Sequence, residues 1–230
     1  MRFAPEGIPF FIAASALIIA VFMFTKNWIT IIPISLLFFM FFFFRDPERV
    51  IPDQSDAIIS PADGKVILIK NTFEKDFLKK DVQKFSIFMS PLNVHVNRAP
   101  FDGTVVSVKY TKGSFHKAYL DEASGNNENI AMVMSTDMGD ILVRQVAGSV
   151  ARRAVCRVKP GDALKKGQRF GIIKFSSRVD LYLPLGAQIT AKVGDKVLAG
   201  ETVIGRWGTD QSIAGTMQGR ITTGLDGREL

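Results

Sequence analysis

Two long apolar runs open the chain, and a punctuated, alternating texture fills most of the rest. Residues 8–24 are almost wholly apolar; after Thr25-Lys26-Asn27 a second run extends from Trp28 to Phe44 and ends in phenylalanines around Met40. Each run is near the ~20 residues with which a helix crosses a hydrocarbon core of about 30 Å, at the short end of that range. The short hinge makes the pair a helical hairpin, kinked at Pro9 and Pro33, with both ends on one side of a membrane. Trp28 then lies at one interface and Arg45 and Arg49 at the other. A cleaved secretory signal fits poorly, because no small-residue cleavage site follows the first run and a second apolar run begins at once. A hairpin lodged in one leaflet and a core hairpin of a soluble domain are the other readings of this pattern.

At Arg45-Asp46-Pro47-Glu48-Arg49 the chain turns charged and extended, which sets the organisation: a hairpin over 1–44, a β-rich domain over 45–207 and a tail over 208–230. Within the domain, Val66-Ile67-Leu68-Ile69 follows Asp63-Gly64, Thr104 to Val108 follows Asp102-Gly103, and Lys196 to Gly200 follows Gly194-Asp195. Short β-branched runs after such dipeptides predict strands entered from tight turns. The fold class is mainly β, with a barrel-sandwich-like texture similar to that of biotinyl and lipoyl carriers. Phe115 to Ser124 breaks the texture and reads as an irregular loop or a helical turn, suited to a substrate loop or a plain connection. The tail is rich in glycine, threonine and charge and is expected to be disordered or loosely attached.

One corner stands out. Between the apolar run Phe170 to Phe175 and the alternating Val179, Leu181 and Leu183, the adjacent Ser176 and Ser177 read as a corner joining two strands. Alone, such a pair reads as turn serines bonded to nearby backbone.

The 230 residues carry a formal net charge of +7 and a pI near 9.6, which suggests an anionic partner. The apolar runs decide for a phospholipid surface over nucleic acid. Arg2, Arg45 and Arg49 flank the hairpin against Lys26 alone in the hinge, which puts the large domain on the cytoplasmic side of the cell (inner) membrane. The single cysteine, Cys156, excludes an internal disulfide and reads as a buried, inert thiol. With two separated histidines, His95 and His116, no metal site is expected. His95, between Val94 and Val96, reads on its own as a histidine packed at a sheet edge, and Asp63 as an Asp-Gly turn residue.

Taken in order, Phe43-Phe44-Arg45-Asp46-Pro47-Glu48-Arg49, Ser60-Pro61-Ala62-Asp63-Gly64-Lys65-Val66, Asn93-Val94-His95-Val96-Asn97-Arg98-Ala99-Pro100, Arg169-Phe170-Gly171 and Phe175-Ser176-Ser177-Arg178-Val179-Asp180 form a specific set. The set resembles the short, membrane-attached bacterial type of phosphatidylserine decarboxylase, from the hairpin to about Gly205. The resemblance implies a self-cleaving pyruvoyl enzyme. Ser177 Oγ would attack the Ser176 carbonyl, exchanging amide for ester. Loss of the Ser177 α-proton would expel the Ser176 carboxylate, and the resulting dehydroalanine would hydrolyse to a pyruvoyl group and ammonia. The products would be a β chain of residues 1–176 and an α chain of residues 177–230, held as a heterodimer, with higher oligomers left open. Phosphatidylserine would form a Schiff base with the pyruvoyl group and leave as phosphatidylethanolamine.

The same resemblance implies that Asp63 orients the base for cleavage and that His95 is the general acid on the decarboxylated intermediate. Longer relatives carry a second histidine where Arg98 stands, so His95 serves both steps or His116 assists. Ser176 occupies the place of the family's usual glycine, whose lack of a Cβ opens the carbonyl to attack. Arg98, Arg178 and His116, with Arg152 and Arg153, are the candidate head-group ligands. Removal of residues 1–44 is expected to leave a soluble protein that cleaves itself but works poorly on vesicles. The competing classes are a non-enzymatic membrane-anchored adaptor or carrier of barrel-sandwich type, with Lys196 only a loose echo of a carrier lysine, and a decarboxylase of ether-linked, archaeal-type phosphatidylserine.

Overall fold

The computed structural model describes residues 2–25, 27–113, 127–148, 153–174 and 177–208. The first apolar run winds as a 3-10 turn at Pro5–Gly7 and then α1 (Ile8–Thr25). The second begins as a 3-10 turn at Trp28–Thr30, where the Asn27 side chain accepts from the Trp28 N–H at 2.6 Å, and continues as α2 (Ile31–Phe43). The hairpin is as expected, but its arms are unequal. Pro5–Thr25 is long and apolar enough to cross a membrane, whereas the 13 residues of α2 give about 20 Å of helix. Its first turn is spent on 3-10 geometry, and Phe44 already leaves helical conformation as the cap.

The regular structure in the remainder of the described chain is antiparallel strand. In order come β1 (Arg2–Phe3), β2 (Arg45–Asp46), β3 (Ala57–Ile59), β4 (Gly64–Glu74), β5 (Lys80–Met89), β6 (Val96–Arg98), β7 (Gly103–Thr111) and β8 (Asn129–Thr136). They are followed by β9 (Gly139–Ala147), β10 (Arg153–Cys156), β11 (Ala163–Leu164), β12 (Arg169–Lys174), β13 (Ser177–Pro184), β14 (Ala187–Ile189), β15 (Lys196–Val197) and β16 (Val203–Trp207). The Asp-Gly rule is obeyed: β4 and β7 start on their glycines, and a Cβ on Gly64 would collide with the Phe88 carbonyl of the neighbouring strand.

Eight strands form a curled sheet in the order β11-β7-β8-β9-β13-β5-β4-β15, and two three-stranded sheets, β10-β12-β6 and β14-β16-β3, pack on it. One core joins all three, with Phe85, Val143 and Leu181 from the large sheet, Phe170 and Ile173 from the second and Ile58 and Ile204 from the third. The alternation read from sequence fixes the faces of β13: Val179, Leu181 and Leu183 enter this core, and Tyr182 joins Val82, Ala131, Val133 and Leu142 on the opposite face.

The hairpin is seated on the β structure. β1 pairs with β2, setting Arg2 opposite Asp46 and Phe3 opposite Arg45, so both ends of the hairpin meet at one place. Phe43 and Phe44 are fully buried and pack with Val94, Val96 and Ile172. Farther along, Ile12, Ile19, Phe22, Phe24 and Phe38 are exposed. The Ser176 corner, the His116 segment, Arg152 and the tail from residue 209 lie outside the described residues. Cys156 is half-buried, and burial raises its thiol pKa.

Candidate active site

Several motifs that are far apart in sequence meet at the foot of the hairpin. The strap Arg45–Arg49 is clasped from the β structure: Arg98 donates to the Pro47 carbonyl at 2.9 Å, to the Gly167 carbonyl at 3.0 Å and to Asp46 at 3.3 Å. Arg169 Nε donates to Asp46 at 2.9 Å. From the end of the strap Arg49 reaches inward and donates to both carboxylate oxygens of Asp63, at 2.9 and 3.1 Å, and to Glu201 at 3.3 Å.

Asp63 is buried and well held. Besides Arg49 it accepts the Ala199 N–H at 2.7 Å and the backbone N–H of Val94. Burial raises its pKa, and the Ala199 N–H and the Arg49 charge pull it back only in part. The Val94 contact ties the carboxylate to the residue just before His95.

His95 is fully buried, its ring tilted over that of Phe43 with centroids 4.3 Å apart. Burial pushes its pKa down to about 4, against a smaller upward pull from the Asn93 backbone. Nδ1 lies 3.0 Å from the Asn93 carbonyl, which can only accept, so the proton of the neutral ring belongs on Nδ1 and Nε2 carries the lone pair. Nε2 is buried and has no hydrogen-bond partner among the described residues. The His95 carbonyl accepts the Ile173 N–H at 3.3 Å, which sets this residue beside the end of β12 that leads to the serine corner.

Ser177 opens β13 between β5 and β9, opposite Met89 on one side and Ala147 on the other. Its position in the alternation puts it on the core face with Val179. Oγ is fully buried and also lacks a hydrogen-bond partner among the described residues. An unpaired buried hydroxyl costs about 1–3 kcal/mol, so packing alone gives no reason for a serine here.

With this geometry in view, the comparisons are specific. Residues 36–205 match the phosphatidylserine decarboxylase family. The chain belongs to that family. It is 46% identical over 204 residues to a phosphatidylserine decarboxylase proenzyme of Desulfotalea psychrophila, an overlap covering 88% of this chain and 95% of the relative. Similar proteins of the same name occur in Syntrophus aciditrophicus, at 45% identity with 88% and 96% covered, and in Nitrosomonas europaea, at 43% with 87% and 93% covered. All five motifs that carry the resemblance fall inside the matched region.

For a member of this family the placement of the expected site residues is uneven. Asp63 and His95 share one neighbourhood, and Ser177 begins the strand beyond it. Arg98 is buried and gives its donors to the strap. Arg178 is on the sheet face opposite Ser177, fully buried, with Nε 2.9 Å from Asp180 Oδ1 and Lys84 3.8 Å from the same carboxylate. Neither arginine presents its guanidinium to the Ser177 side of the core. Arg153 is exposed at the start of β10, and His116, Arg152 and Ser176 lie outside the described residues. Sequence reasoning missed Arg49 as the partner of Asp63 and Phe43 as the platform for His95, since both contacts join segments far apart in sequence. Lys196, the loose carrier echo, is an ordinary strand residue opposite Lys65.

Proposed function

We propose that this chain is a phosphatidylserine decarboxylase that matures by cutting itself between Ser176 and Ser177 and works through a pyruvoyl group derived from Ser177. The observation that carries the reading is the buried Ser177 hydroxyl, without a hydrogen-bond partner among the described residues, at the head of a core strand and three residues after Lys174, where the strand that binds the His95 carbonyl ends. Relatives named proenzymes support the self-processing, and their names supply the lipid.

In the intact chain Ser177 Oγ attacks the Ser176 carbonyl, and the unprotonated Nε2 of His95 takes the hydroxyl proton as the amide becomes an ester. Loss of the Ser177 α-proton expels the Ser176 carboxylate, and hydrolysis of the dehydroalanine releases ammonia. The pyruvoyl group so made would supply an electrophilic carbonyl for the substrate amine and a sink for the electron pair left by departing carbon dioxide. His95 then returns a proton to the decarboxylated carbon, so one neutral imidazole serves both steps. Asp63, fixed by Arg49 and the Ala199 N–H, is a positioning group that holds the Val94–His95 backbone. Arg98 and Arg178 are assigned to structure and not to the lipid head group. The lipid approaches from the bilayer in which the hairpin sits, with the β domain on the cytoplasmic side, as the flanking arginines favour.

Intact-protein mass spectrometry tests the reading. The purified protein is expected as two pieces, 1–176 and a blocked 177–230, releasing carbon dioxide from phosphatidylserine vesicles, and Ser177→Ala as one inert chain. A single 25.4 kDa species with unmodified Ser177 in the wild type would overturn the proposal.

A further inference from the structure

On β9 the core-facing series Ile141, Val143, Gln145, Ala147 is apolar except for Gln145, which is 1% exposed. Its Nε2 donates to Asn97 Oδ1 at 2.8 Å and faces the Val155 carbonyl at 3.5 Å. Gly171 makes the room, since a Cβ there would lie 2.8 Å from Nε2. Two acceptors on one side assign the amide orientation, because only the NH2 end can face them. The other end, Oε1, is buried and has no hydrogen-bond partner among the described residues.

The register brings that oxygen's side chain next to Ser177. In the β13–β9 ladder Ser177 opposes Ala147 and Val179 opposes Gln145, so Ser177 and Gln145 are diagonal neighbours on one face. Such positions are about 7–8 Å apart, within reach of a long side chain. On its other flank Ser177 opposes Met89, whose sulfur is 3.9 Å from Asn97 Nδ2. Gln145, Asn97 and Met89 thus form a bridge from β9 through β6 to β5, the two strands that flank the head of β13. Among the described residues, an acceptor without a donor and a hydroxyl without a partner belong to diagonal neighbours.

We propose that Gln145 is a positioning residue for self-cleavage: its Oε1 receives the Ser177 hydroxyl in the intact chain and holds Oγ in a single rotamer before it attacks. Asn97 and Gly171 fix the glutamine in turn. This rests on the self-cleaving reading above. A neutral amide cannot keep the proton; the hydroxyl leaves Gln145 for His95 Nε2 as attack begins. What Gln145 contributes is a serine held in one of its three staggered rotamers before the reaction.

The test follows freshly translated proenzyme by intact mass. Gln145→Met keeps the length and removes the acceptor, and is expected to slow cleavage about tenfold or more. Gln145→Glu, uncharged in this buried site so that its O–H takes the place of the amide donor to Asn97, keeps an acceptor oxygen and is expected to restore the rate to within about threefold of wild type. Cleavage of Gln145→Met at the wild-type rate, or of Gln145→Glu as slowly as Gln145→Met, overturns the proposal. An uncleaved wild type overturns the underlying reading instead. Packing is separated by melting: in the uncleavable Ser177→Ala background, where the hydroxyl is gone, Gln145→Met is expected to lower Tm only by the amount that loss of the Asn97 hydrogen bond explains, less than about 8 °C. A large drop or a failure to fold there assigns Gln145 to packing and overturns the proposal.

Discussion

Burial holds the His95 imidazole uncharged, and this has a measurable cost in acid. Its pKa is about 4 in the folded chain against 6.5 as a free side chain, so between those values the unfolded chain binds the extra proton. Stability contributed by the neutral ring is therefore complete above pH 6.5 and lost as pH falls toward 4, by about 3 kcal/mol in total. Asp63 acts in the opposite sense at the acid end, because its raised pKa means that the folded form gains the proton first. The clean measurement compares melting from pH 4 to 7 in Ser177→Ala with the same chain carrying His95→Phe, which should lack the His95 slope. Equal slopes in the two proteins would show that His95 does not titrate in this way. Arg49→Met leaves the Asp63 carboxylate buried without its charge partner and is expected to cost about 3–5 kcal/mol in urea unfolding.

At the scale of elements, the strands were legible because local chemistry dictates them. Asp63-Gly64 and Asp102-Gly103 mark strand starts, and the alternation of Val179, Leu181 and Leu183 fixes which face of β13 is core. The hairpin was legible from its apolar runs. Its shorter arm was not, since run length counts apolar residues and ignores the 3-10 turn and the cap. The candidate site was half legible: Asp63, His95 and Ser177 stand in recognisable motifs, while the contacts of Arg49 and Phe43 and the role proposed for Gln145 rest on tertiary packing that no local pattern encodes. The one available hint was a glutamine in the core-facing phase of an otherwise apolar strand. The seat of α2 also changes an expectation. Deleting residues 1–44 removes Phe43 and Phe44 from Val94, Val96 and Ile172 and uncovers His95, so that truncation is expected to impair folding and cleavage together. Phe43→Ala in the full chain should cost about 3–5 kcal/mol by denaturant unfolding. A change under 1 kcal/mol would mean that the ring does not support His95.

For the whole molecule, the exposed apolar residues of α1 and α2 outweigh the basic surface as the means of attachment. Hydrophobic contact survives salt, whereas exposed charge pairs separated by more than about 8–10 Å are screened at physiological ionic strength. Membranes bearing the protein are therefore expected to retain it through washes with concentrated salt and with alkaline carbonate, and to release it to detergent. Release by salt alone would assign attachment to charge. The family membership disfavours the adaptor and carrier classes.

The position of β13 has one last consequence. It is hydrogen-bonded along its length to β5 on one side and β9 on the other, in the interior of the large sheet. A nick just before Ser177 would free a chain end without freeing a chain: the shorter fragment would stay zipped between strands of the longer one, and the severed halves would need no docking step to remain a single body.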